Sequence, residues 1–172
     1  MRDQKFQKVI DYRLSLHLVY GEYMSTTGFG CGQVVGECTL KVIGRGKIGL
    51  YVYAKLWQLP INNISINVAI LKKTNGYRPF LYNVTTNFCQ FLANRKKYPF
   101  IDVFVGILVK DSNINHTCPY NHDIIVKNLV LDINKLKYLP FPRGEYRIDL
   151  KVAAYNDWKA DVKTYFQIFE DL

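Results

Sequence analysis

Cys89, His116, Cys118 and His122 are residues whose types fit metal chemistry and lie in one stretch of the chain. Thiolate and imidazole are the ligands zinc prefers, so the four can be written as a zinc site. Their spacing follows no finger or ribbon pattern, and Asn115-His116-Thr117 is a glycosylation sequon, which argues for an exposed loop. The favoured reading is a disulfide with two surface histidines beside it, and no metal. The chain has four cysteines, an even count that suits a disulfide framework in an oxidising compartment, and four cysteines permit three connectivities.

Catalysis has weaker footing. No Gly-x-Ser-x-Gly, His-Glu-x-x-His or P-loop pattern occurs. Glu145 and Asp149 share a strand face with Arg147 and Lys151, which makes a solvated, alternating charged face the natural reading. The expectation is a protein that is not an enzyme, with no catalytic residue and no cofactor. Two more sequons, Asn63-Ile64-Ser65 and Asn83-Val84-Thr85, join Asn115 as candidate glycosylation sites and point to the same oxidising compartment as the cysteines.

The elements that hold these residues read mainly as strands. The 172 residues fit one domain, and 49% hydrophobic with 15% aromatic residues is enough to build a core. Ile48, Leu50, Val52, Ala54 and Leu56 alternate with Lys47, Gly49, Tyr51, Tyr53 and Lys55, a period of two. Asn75-Gly76 suits a two-residue turn and predicts a β-hairpin of residues 63 to 73 with 77 to 86. Asn63 and Asn83 then fall opposite the apolar sets Ile64, Ile66, Val68 and Phe80, Tyr82, Val84. Between Asn87 and Lys110 the spacing turns helical and predicts one or two short helices, with Pro99 in a first turn. Strands return at 123 to 131, at Tyr146 to Ala154, and from Val162 to Ile168.

The net charge of +9 and pI near 9.3 favour anionic partners in general. The basic residues are scattered, however, and Arg95-Lys96-Lys97 is the one run of three, with no RNA-recognition signature beside it. No nucleic-acid partner is expected. No stretch reaches the ~18 to 20 apolar residues of a membrane span.

Several motifs occur in a fixed order: Cys38-Thr39-Leu40-Lys41-Val42, Gly76 through Asn83, Phe88-Cys89, His116-Thr117-Cys118-Pro119-Tyr120, and Leu139-Pro140-Phe141-Pro142-Arg143-Gly144-Glu145-Tyr146. In these the chain resembles a large insect family of small secreted proteins carrying domain of unknown function 1091, itself similar to the ML (lipid-recognition) proteins and the ganglioside-activator lipid carriers. The resemblance implies an immunoglobulin-like antiparallel β-sandwich over residues 31 to 172, with one or two short helices between strands and a divergent segment at 1 to 30. It implies disulfides between Cys89 and Cys118 and between Cys31 and Cys38. It also implies an extracellular location, although the first thirty residues show no signal-peptide pattern.

On such a scaffold the implied function is non-catalytic binding of a lipid or other small apolar ligand, in chemosensory or lipid-handling roles. Sandwich sheets packed on side chains lie ~10 Å apart, so an acyl chain enters only where they splay. The expected lining is Leu50, Val52, Leu56, Ile66, Val68, Phe80, Phe104, Leu108, Ile148, Leu150, Val152, Phe166 and Ile168, with the helix at 98 to 109 as a candidate lid. The alternative is an extracellular interaction module with no internal ligand, whose exposed faces bind a receptor protein or an anionic surface.

Overall fold

The tightest local signal, Asn75-Gly76, produces a long hairpin of the computed structural model, β4 (Ile64–Thr74) with β5 (Gly76–Asn87). The turn is tighter than a two-residue connection: Thr74 pairs with Gly76, leaving Asn75 alone at the tip, and Gly76 takes φ +110°, a conformation open to glycine. The structure describes residues 16 to 18, 36 to 45, 47 to 130 and 141 to 168. Of the expected pairs, Cys31–Cys38 lies outside them, because Cys31 is not described and Cys38 only in its backbone.

The remaining strands are β1 (Leu16–Leu18), β2 (Gly36–Gly44), β3 (Lys47–Ala54), β6 (Ile124–Leu129), β7 (Gly144–Ala154) and β8 (Asp157–Ile168). They form a β-sandwich of two antiparallel sheets, one in the order β1-β8-β7-β4-β5 and the other β2-β3-β6. Leu16–Leu18 falls within the segment set apart as divergent, yet it pairs with Val162 to Thr164 at the edge of the larger sheet. The β7–β8 turn is made by Tyr155 and Asn156, both at positive φ, which gives the twist a two-residue hairpin requires.

The hairpin carries an irregularity that keeps its faces in phase. Ala69 pairs with Asn83 and Leu71 with Pro79, so Phe80, Leu81 and Tyr82 stand against Ile70 alone. An excess of two residues preserves the side-chain parity of the strand, and Phe80, Tyr82 and Val84 all reach the core. Leu81 takes φ 63° at the bulge and is exposed.

From β5, an edge strand of the larger sheet, the chain passes through α1 (Phe88–Ala93), a 3-10 turn (Arg95–Lys97) and α2 (Pro99–Val109) to β6, an edge strand of the smaller sheet. Asn87 caps α1 by accepting from the Gln90 amide at 3.0 Å. Pro99 starts α2, where its missing N–H costs nothing. α2 is apolar around most of its surface, as suits a helix surrounded by protein. Phe100 and Phe104 pack against both core clusters, and Tyr82 of β5 stacks on Phe100 at 3.6 Å between ring centroids.

Candidate functional site

The interior of the sandwich brings together most of the residues expected to line a ligand slot. Leu50, Val52, Phe80 and Leu108 pack in one cluster around Ile70, Tyr146, Val126 and Leu129. Ile66, Val68, Leu150 and Val152 pack in a second around Phe88, Phe91, Ile101, Val105 and Tyr120. Ile148 and Phe104 belong to both. Phe166 and Ile168 belong to β8, but their side chains lie outside the described residues.

Leu56 departs from the expected lining. β3 ends at Ala54, and the Leu56 amide donates to Asp123 Oδ1 at 2.9 Å, so this residue leaves the alternating pattern and lies in neither cluster. The helix expected as a lid is a wall of the interior, since α2 buries Ile101, Val105 and Ile107 within the two clusters.

The two central strands of the larger sheet differ in how well they are covered. In register, Ile66 sits beside Val152, Val68 beside Leu150 and Ile70 beside Ile148, all on the inner face. The β4 members are buried, Ile70 completely, whereas their β7 neighbours are only half-buried. Val162 of β8, next to Leu150, is half-buried as well. The cause lies in the connection: Phe88, Phe91, Ile101 and Val105 from the two helices cover the inner face of β4. Among the described residues, the inner side chains of β7 and Val162 of β8 keep some apolar surface within reach of solvent.

The outer face of the same sheet carries charge, but not as a freely solvated row. Arg147 holds Asp149 through both carboxylate oxygens, at 2.6 and 2.8 Å, and Asp149 is 8% exposed. Lys73 pairs with Glu145 at 2.6 Å. The sequence pattern located these charges without showing how deeply the neighbouring β4 and β8 side chains enclose Asp149.

At one end of the sandwich a cross-linked loop holds the metal-type residues. Cys89 at the start of α1 and Cys118 form a disulfide with Cα atoms 5.3 Å apart. Tyr120, almost fully buried, donates its hydroxyl to the carbonyls of Ile114 and His116 at 3.2 and 2.8 Å, and burial pushes its hydroxyl up to about 12. Its backbone exchanges two hydrogen bonds of 2.8 Å with Ile61. His116 and His122 face each other, Nε2 to Nε2, across 2.7 Å. With both sulfurs in the disulfide, neither cysteine offers a thiolate to a metal.

Asp123 follows His122, and its carboxyl is lowered from its ordinary value, first by the Leu56 amide and then by the Tyr53 hydroxyl. The sequons occupy different surroundings. Asn83 and Asn115 are exposed, while Asn63 is half-buried and accepts from the Asn87 side chain at 3.2 Å.

Residues 66–148 match a family described as "Protein of unknown function (DUF1091)", a span that opens in β4, contains the disulfide loop and closes in β7. No curated protein matches the chain. No helix among the described residues is long and apolar enough to cross a membrane.

Proposed function

We propose that this protein is a secreted, non-catalytic carrier of the ML type that binds a lipid or other small apolar ligand inside its sandwich. The observation that carries this reading is the unequal cover of the inner face, with Ile148, Leu150 and Val152 only partly buried beside buried partners on β4. Close-packed interiors do not ordinarily leave the inward side chains of a central strand within reach of solvent. An acyl chain laid against them would gain ~0.8 kcal/mol per buried CH₂, less the cost of ordering it. Secretion is supported by the Cys89–Cys118 disulfide and by the exposed sequons at Asn83 and Asn115.

The test is native mass spectrometry of the protein secreted from insect cells behind a supplied signal peptide, followed by organic extraction. The expected result is a retained lipid mass that disappears on extraction. A ligand-free mass, together with failure to take up fatty acid, phospholipid or sterol, overturns the reading.

A second reading rests on the surface. Tyr155 donates its hydroxyl to the Pro60 carbonyl at 3.0 Å and its amide to Asn63 O at 3.1 Å, tying the β7–β8 turn to the loop before β4. Both segments expose large side chains, Trp57 at 66% and Trp158 at 51%, with Leu59 and Tyr155. Indole rings displayed this way are characteristic anchors of protein interfaces. Binding to a receptor protein that survives lipid stripping and weakens on Trp57→Ala or Trp158→Ala supports this alternative; binding unaffected by both substitutions removes it.

A further inference from the structure

We propose that His116 and His122 together form a binding site for one divalent transition-metal ion. The cysteines of the four-residue set are held in the disulfide, so the proposal concerns the two imidazoles alone, against the expectation of no metal drawn from the spacing. Their Nε2 atoms stand 2.7 Å apart, with the Nδ1 of His116 2.7 Å from the Thr117 carbonyl. A carbonyl only accepts, so His116 carries its proton on Nδ1 and turns an Nε2 lone pair toward His122. A metal-ligating histidine is held in the same way, with one ring nitrogen anchored on a backbone carbonyl; the other nitrogen here meets His122, whose hydrogen bond an ion would replace.

His122 is placed to adopt either tautomer. Asn113 has a fixed orientation, because its Oδ1 accepts from the Ile125 amide at 2.8 Å and its Nδ2 donates to the Asp123 carbonyl at 2.7 Å. The second hydrogen of that Nδ2 faces His122 Nδ1 at 3.1 Å, while the Asp123 carbonyl lies 2.8 Å from the same nitrogen. Without metal, Asn113 donates to Nδ1, and the Nε2–H of His122 donates to His116. With metal, the proton sits on Nδ1 and donates to the Asp123 carbonyl, so both Nε2 lone pairs turn to the ion. The neutral imidazole gains no proton and loses none, since the proton leaves Nε2 and returns at Nδ1.

Two nitrogens at ~2.0 to 2.1 Å from a tetrahedral ion stand roughly 3.3 to 3.4 Å apart. The rings point head-on, with centroids 5.0 Å apart, so the pair must open by roughly 0.6 to 0.7 Å and both rings must turn until their Nε2 lone pairs converge on one ion. His116 is exposed and can swing outward, while Tyr120, the Ile61 pairing and the disulfide hold the backbone beneath it. The Asp123 carboxylate is occupied by Leu56 and Tyr53, and no set of three or more His, Cys, Asp or Glu converges among the described residues, so water completes the shell. Imidazole donors suit copper and zinc, and copper(II) stands above zinc in the affinity order of divalent ions.

The test is calorimetric titration of the full-length, disulfide-intact protein with zinc and with copper(II), alongside His116→Ala and His122→Ala. The expected result is one ion per chain, copper bound more tightly than zinc, and at least a tenfold loss of affinity in each variant while thermal unfolding stays cooperative. In a ¹⁵N-labelled sample, zinc should move the His122 proton from Nε2 to Nδ1, and this readout does not depend on the variants folding. Absence of saturable binding, binding undiminished in both variants, or an unchanged His122 tautomer at saturation overturns the proposal.

Discussion

The Tyr53 hydroxyl donates to Asp123 Oδ2 across 2.7 Å, fastening the outer face of β3 to the chain that enters β6. The Leu56 amide holds the other oxygen of the same carboxylate, so one side chain closes the β3 end and the start of β6 together. Both contacts favour the ionised form, and the carboxylate is correspondingly lowered.

A group whose folded value lies below its unfolded one contributes stability above the unfolded value and loses it as pH falls through the folded value. Asp123 therefore stabilises the protein at neutral pH, and its contribution disappears in acid, below the ordinary carboxylate range. Urea unfolding of wild type and Asp123→Asn at several pH values should show a stability difference at neutral pH that shrinks as pH falls. A difference that stays constant down to the acid limit would remove the linkage to this carboxylate.

The Cys89–Cys118 bridge closes a sequence separation of 29 residues that runs from the first turn of α1 through all of α2. By the chain-entropy argument, a loop of that size stabilises the fold by about 3 to 4 kcal/mol. The Cys89→Ser, Cys118→Ser double variant should lose about that much in denaturant unfolding, with helix α2 exchanging its amide hydrogens faster. A loss under ~1 kcal/mol would mean that the unfolded chain is already constrained in this region.

Strand alternation made much of this fold legible. β3, β4, β5 and β7 each repeat with period two, and the change to helical spacing after Asn87 marked α1 and α2. What stayed hidden depends on contacts distant in sequence. Leu56 fits the β3 alternation, but a carboxylate 67 positions away takes its amide and draws it out of the strand pattern. Asp149 reads as a solvated charge until Arg147 and the flanking strands enclose it. The His116–His122 pairing is equally long in geometry, since residues six apart in an irregular loop meet only because the disulfide and Tyr120 fold that loop back.

The sequons separate by exposure. Asn83 and Asn115 are exposed, although Asn83 Oδ1 accepts from the Asn67 side chain at 2.8 Å, whereas Asn63 is half-buried, its side chain accepting from Asn87 and its carbonyl from the Tyr155 amide. In protein exported from insect cells, Asn83→Gln and Asn115→Gln should each remove one glycan mass, and Asn63 should be the least occupied site. Equal mass before and after glycosidase treatment would count against export through a glycosylating compartment.

The interior itself can be probed by adding bulk where it is half-open and removing bulk where it is closed. Ile70 is fully buried, so Ile70→Ala should cost about 2 to 5 kcal/mol, as cavity-forming core substitutions do. Leu150 is half-buried one strand away on the same face, and Leu150→Trp places an indole in the space assigned to the ligand. If that space is open, the variant should keep its unfolding midpoint within a few degrees while lipid uptake falls at least tenfold. Overpacking a closed core costs about 1 to 3 kcal/mol. A comparable loss in Leu150→Trp, with uptake unchanged, would therefore show that the inner face of β7 is filled by protein and that no ligand lies against it.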